Sequence, residues 1–230
     1  MLGRVLYGLL AILATALAGS PALFGAFSLA KSLLVLSLFY GWGRHLPKVF
    51  WVGMFFAWVG DVSLLWPQKE GFFMAGMGSF AMMWGLYGVG WWRLDAEVRG
   101  FWYGVLAGVA VGLGAGIVWY LWPLLEAPFS FLVPGYAVFL VGASLGGLRL
   151  RSGLLWLGLL SFWVSDALIA YMKFVRPIWY GDNWVVGLYA LGHGLIVAHT
   201  HKVVLRGEGG AESRGVALVK ICYLCPPCWL

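Results

Sequence analysis

Asp61 and Asp166 are the residues from which chemistry can first be argued. Asp61 stands in Phe55-Phe56-Ala57-Trp58-Val59-Gly60-Asp61-Val62-Ser63-Leu64-Leu65 and is the only ionisable residue between Lys48 and Lys69. Asp166 closes the similar stretch Trp163-Val164-Ser165-Asp166. A carboxylate inside a long apolar run is costly and by default marks a functional site. Two carboxylates in one low-dielectric pocket cannot both ionise cheaply, so one holds a proton and the other stays charged, above all beside a cation. That division supplies a general acid and a general base at neutral pH. It suits a reaction through an oxocarbenium-like state, in which one group protonates and the other steers water. The same pair equally suits a proton-coupled transporter or lipid carrier. A non-catalytic role, with an aspartate paired to Lys31 to hold helices together, is the plain alternative.

The elements that must position these groups follow from composition. The 230 residues are 62% hydrophobic and 10% charged, with a mean hydropathy of +0.88. A soluble chain of this length cannot cover so much apolar surface, so the expected class is an all-α integral membrane protein. Eight apolar runs fit transmembrane helices, at 4–19, 22–41, 48–66, 71–92, 100–122, 129–148, 152–173 and 184–203. They are continuous rather than alternating, which excludes a barrel. Residues 1–206 are thus expected to form one eight-helix bundle, and 207–230 a polar, flexible, cytoplasmic tail. Eleven Lys and Arg residues fall at one end of the spans and only Lys69, Lys173 and Arg176 at the other, so both termini are expected in the cytoplasm. The net charge of +6 is absorbed by this asymmetry, leaving membrane lipid rather than nucleic acid as the polyanion. Arg4 followed by an apolar run and Ala16-Leu17-Ala18 also has the form of a signal peptide, but retention as a first span is the preferred reading. The three cysteines, Cys222, Cys225 and Cys228, lie in the tail; without a fourth ligand they make no metal site, and no metal or cofactor is expected.

Depth groups the candidates. At about 1.5 Å per residue, Asp61 and Asp166 lie roughly 8 and 10 Å from the lysine-poor ends of their helices, Tyr136 and Tyr189 about 8–11 Å, and Lys31 and His193 about 13 Å. These six groups are expected to share one polar layer facing the bundle interior. Singly, each has a duller role: a tyrosine with one satisfied hydroxyl, a histidine linking helices, Ser165 bonded to its own helix. His199 and His201 are two apart and point to different faces, so they cannot share a metal. Gly104, Gly108, Gly112 and Gly116 line one face of the fifth helix, where a neighbouring backbone is expected to approach closely. Trp66, Trp91, Trp92, Trp119, Trp122, Trp179 and Tyr180 read as interfacial belts. The Trp-Val-Gly-Asp and Trp-Val-Ser-Asp repeat, four spans apart, suggests two parallel four-helix halves.

The order and spacing of these motifs resemble the YhhN family of multi-pass membrane proteins, whose characterised members are lysoplasmalogenases. The resemblance rests on Lys31 in an early span; Gly60-Asp61-Val62-Ser63-Leu64-Leu65; Phe73-Met74-Ala75-Gly76-Met77-Gly78-Ser79-Phe80; Pro134-x-Tyr136; Ser165-Asp166-Ala167-Leu168-Ile169 running to Lys173-Phe174; and Tyr189-Ala190-Leu191-Gly192-His193-Gly194-Leu195-Ile196. It covers residues from about 30 to 200. Ser32 stands where the pattern has proline, Trp84 where it has histidine, and Gly192-His193 where it has Ala-Gln. The resemblance implies hydrolysis of the vinyl ether of a lysophospholipid-type substrate taken from the bilayer. The products would be a fatty aldehyde and glycerophosphoethanolamine or glycerophosphocholine. Asp61 and Asp166 would be catalytic, and Lys31, Tyr136, Ser165, Tyr189 and His193 would bind or orient substrate and water. A retinal-type photoreceptor is disfavoured, because the last span carries His193 and no mid-helix lysine.

Overall fold

The computed structural model describes residues 2–94 and 100–224, with the side chains of Arg44 and of residues 206–224 outside the description. Each of the eight apolar runs is a helix: α1 Leu2–Leu17, α2 Phe24–Gly41, α3 Lys48–Ser63, α4 Glu70–Arg93, α5 Phe101–Leu121, α6 Phe129–Leu148, α7 Gly153–Phe174 and α8 Gly181–Leu224. Helix is the state that satisfies every backbone N–H and C=O within one segment, which an apolar environment demands. The described residues contain no strand. Among the described residues, five helices are long and apolar enough to cross a membrane, namely α2 with its leading 3-10 turn, α4, α5 with the turn that follows it, α6 and α7. Of the expected tail, the backbone of 207–224 continues α8 with its side chains outside the description, and 225–230, with Cys225 and Cys228, lie outside the described residues.

Breakers set the ends. Gly19 turns the chain with φ 76° between α1 and α2. The Ser152 hydroxyl caps α7 by accepting from the Leu155 N–H at 3.4 Å. Pro134, inside α6, withholds one backbone donor a half-turn before Tyr136.

Helices consecutive in the chain pair antiparallel, α1 along α2, α3 along α4 and α7 along α8, while α4 beside α6, running parallel, and α8 against α1 close the ring. α5 packs on α6 at the periphery and buries only Gly114 and Leu121. At the lysine-poor end, Asn183 donates to the Thr15 carbonyl at 2.7 Å, Lys173 to the Pro67 carbonyl at 3.4 Å, and Phe129 meets Phe73 and Phe174. At the other end Arg4 reaches the Gly41 carbonyl, Arg149 reaches that of Trp92, and Ser152 meets His199.

Two expectations are corrected. No atom outside α5 lies within 4 Å of where a Cβ on Gly104, Gly108, Gly112 or Gly116 would stand; Gly112 and Gly116 border an open groove toward Ala167 and Tyr171 of α7, and no backbone packs there. The close backbone contact is instead between α7 and α8, where a Cβ on Gly192 would lie 2.8 Å from the Gly158 carbonyl oxygen and 2.9 Å from the Phe162 nitrogen. Trp91 is no belt residue: it is fully buried and donates to Thr200 Oγ1 at 3.0 Å, whereas Trp119, Trp122 and Trp179 are exposed.

Candidate active site

The first aspartate owes its place to small neighbours. On α3, a Cβ at Gly60 would lie 2.7 Å from the Phe80 ring, and on α4 one at Gly76 would lie 2.8 Å from Leu64. Hydrogen at these positions lets α3 and α4 close together and buries Asp61 to 1% exposure. Trp58, one turn earlier, donates to the Ser32 carbonyl at 3.0 Å and ties α3 to α2, one residue from Lys31. Lys31 Nζ then sits 3.9 Å from Asp61 Oδ1, inside ion-pair range but beyond hydrogen-bond range. Trp163 repeats this use on α7, donating to Ser144 on α6 at 2.9 Å.

Asp61 ends a directed chain of donors. Tyr189 Oη donates to Asp61 Oδ2 at 2.7 Å, which spends its one proton. His193 Nδ1, 3.2 Å from Tyr189 Oη, must then be the donor, so Nε2 of the neutral ring accepts from Tyr87 Oη at 2.8 Å. The order is Tyr87 to His193 to Tyr189 to Asp61, with Lys31 on the far side. All five groups are buried. Tyr7 on α1 fastens the same region by donating to the Ala190 carbonyl on α8.

Asp166 ends a second chain. Tyr136 Oη donates to Asp166 Oδ2, and Trp84 Nε1 donates to Tyr136 Oη at 3.2 Å. Trp84 is fully buried, while Asp166 and Tyr136 are half-buried. The two chains meet on α4, where Trp84 and Tyr87 are three residues apart and share a face. Phe162 stands between them, 4.7 Å from Trp84 and 5.1 Å from Tyr189 by ring centres. The six layered groups thus form two clusters separated by an aromatic wall. Ser165 joins neither: its hydroxyl, fully buried, donates to the Val185 carbonyl at 3.0 Å and locks α7 to α8.

Two cavities open beside these clusters. The larger, about 800 Å³, lies at the lysine-poor end between the α1–α2 turn, the α3–α4 turn and the start of α8; Lys31, Lys173 and Asp182 are its charged lining. The smaller, about 70 Å³, is lined by apolar side chains, with Tyr136 and Asp166 as its polar members. Leu64, Phe73 and Ile169 border both. Lys31 faces the larger cavity and Asp166 the smaller; Asp61, Ser165, Tyr189 and His193 stand one layer back.

Sequence reasoning missed Tyr87. Its signal was the stripe Phe80, Trp84, Tyr87, Trp91, which repeats at helical spacing along α4 and is buried throughout. Lys173 and Asp182, which line the larger cavity, were not among the expected site residues. Among the described residues, no group of three or more His, Cys, Asp or Glu side chains is placed to hold a metal ion.

The arrangement combines two hydrogen-bonded carboxylates, an ammonium in ion-pair range of one of them and an apolar chamber beside a charged cavity. The chain is 31% identical over 158 residues to lysoplasmalogenase TMEM86A of Homo sapiens, an alignment covering 63% of this chain and 62% of that protein. It is 30% identical to lysoplasmalogenase TMEM86A of Bos taurus with the same coverage. The chain spans about three-fifths of the length of these curated relatives. No solved structure matches it. The YhhN family profile matches residues 7–200, which takes in all seven candidate site residues, and this integral membrane protein belongs to the YhhN family.

Proposed function

We propose that this protein is a lysoplasmalogenase-like hydrolase, cleaving the vinyl ether of a lysoplasmalogen by acid–base chemistry of Asp61 and Asp166. The observation that carries the reading is the apolar chamber whose polar members are Asp166 and the Tyr136 that holds it. Protonation of the vinyl β-carbon gives an oxocarbenium ion. Water adds to the carbon bearing oxygen and yields its proton to a carboxylate. The hemiacetal then collapses, the glycerol oxygen taking a proton as it leaves, to fatty aldehyde and glycerophosphoethanolamine or glycerophosphocholine. The position of Asp166 on the chamber wall supports direct contact with the reacting atoms. The position of Asp61, one layer back, supports exchange through Lys31 or Tyr189. Tyr136, Tyr189 and His193 orient these groups, Ser165 fixes the helix that carries Asp166, and Phe162 keeps bulk water from joining the two clusters.

In this reading all eight helices span the bilayer, both termini are cytoplasmic, and the larger cavity faces the opposite side. The matched roles of Trp58 and Trp163, each tying its helix to the preceding one, support two related four-helix halves. The asymmetric partners of the aspartates, Tyr189 on α8 and Tyr136 on α6, mark where the halves diverged. The test is aldehyde release from lysoplasmalogen by detergent-purified protein. Release that needs both aspartates supports hydrolysis. Proton-gradient-dependent lipid movement in proteoliposomes without aldehyde would replace it with transport.

A further inference from the structure

We propose that the larger cavity is a binding site for a zwitterionic phosphate-ester head group, with the phosphate on Lys31 and Lys173 and the cationic amine on Asp182. Its identification as the substrate's head-group site rests on the hydrolase reading; the binding itself does not.

Four observations carry the proposal. First, the cavity has the size of a small-molecule site, and its charged lining is of both signs. Second, Lys31 is buried at its inner wall, yet at 3.9 Å its ammonium makes no hydrogen bond to Asp61. An ammonium has three donors, and those of Lys31 face a cavity rather than a protein acceptor. Third, Lys173 and Asp182 line the same cavity and make no ion pair among the described residues. Lys173 has only a long bond to the Pro67 carbonyl and the face of Phe73, 4.9 Å away. Fourth, the neighbours of Asp182 hold it at the mouth. Adjacent Asn183 ties α8 to α1 through Thr15, and a Cβ on Gly19, which turns with φ 76°, would lie 3.4 Å from Asp182 Oδ2.

A phosphate monoanion alone would find two cations with a carboxylate facing them. A lone amine would find the reverse. A head group bearing both charges satisfies all three side chains. Leu64, Phe73 and Ile169, shared with the Asp166 chamber, give an apolar border across which a single chain could pass from one cavity to the other.

The test uses dodecylphosphocholine, which has both charges and no vinyl ether, and dodecyl phosphate, which has only the anion. Binding of each to maltoside-solubilised protein is measured by native mass spectrometry for wild type, Asp182→Asn and Lys173→Gln, with thermal melting as the folding control. Asp182→Asn should weaken dodecylphosphocholine about tenfold and leave dodecyl phosphate unweakened, whereas Lys173→Gln should weaken both. Unchanged binding of dodecylphosphocholine in both variants would overturn the proposal. So would equal weakening of the two probes by Asp182→Asn, because loss of a favourable charge at the α8 N-terminus would act alike on both. Failure of aldehyde release with this binding pattern intact would remove the hydrolase reading and leave the head-group site standing.

Discussion

Breaking the Lys31–Asp61 pair tests the organisation of the site through stability. Lys31→Met leaves a carboxylate buried to 1% exposure beside Tyr189, and Asp61→Asn leaves a buried ammonium. At 3.9 Å the attraction is about 4 kcal/mol at an effective dielectric of 20. Removing one partner of a buried pair typically costs about 3–5 kcal/mol, because the other charge is stranded. Lys31 borders a cavity that water can enter, so the lower end of that range applies, and each single variant should lose about 3 kcal/mol. The double variant removes both charges and keeps an acceptor for Tyr189. It should recover much of the loss, with a coupling energy of about 2 kcal/mol or more. The assay is unfolding of maltoside-solubilised protein by added dodecyl sulfate, followed by tryptophan fluorescence. Additive single losses, to within about 0.5 kcal/mol, would refute the pairing.

Other consequences follow from the same geometry. Asp166→Asn should lower aldehyde release by about 10²–10⁴-fold, the usual range for loss of a general acid or base. Tyr136→Phe should lower it too while leaving Trp84 Nε1 without its acceptor, a loss visible in single-turnover rates. His193→Leu strands the buried hydroxyl of Tyr87 at about 1–3 kcal/mol and removes the donor to Tyr189, which keeps its bond to Asp61, whereas His193→Gln, which can bond both, should be milder; dodecyl sulfate titration separates them. Gly192→Ala drives a methyl into the α7 backbone and should cost about 1–3 kcal/mol, while Gly108→Ala on the outer face of α5 should be neutral or slightly stabilising.

The helices were legible because each apolar run is long enough to be one and is bounded by charge or a breaker. Partner choice was less legible. Asp61 and Asp166 were readable as a pair at one depth, but nothing in their spacing says that one answers to Tyr189 and the other to Tyr136. That depends on helix rotation, which side-chain volume at Gly60, Gly76, Gly158 and Gly192 sets in three dimensions. The glycine repeat of α5 has the sequence form of a close helix contact, yet α5 lies at the periphery, and Gly112 and Gly116 border an open groove beside α7 rather than a packed backbone. Tyr87 was hidden in an aromatic-rich helix where one more ring carries little signal. Lys173 and Asp182 sit at span ends, where charge is ordinary, and only the fold shows that they line one cavity. Trp84 read as a departure from the resembled pattern; here it delivers an N–H to Tyr136, the partner of Asp166.

The central claim is that carbon protonation and water addition at a vinyl ether are carried out here by the two aspartates. Turnover of lysoplasmalogen by detergent-purified protein in D₂O, with the aldehyde trapped and weighed by mass spectrometry, tests it most directly. The account predicts aldehyde with one deuterium on the carbon beside the carbonyl, and little or none from Asp61→Asn or Asp166→Asn protein. No aldehyde from the wild type, or undiminished release from the aspartate variants, would contradict it.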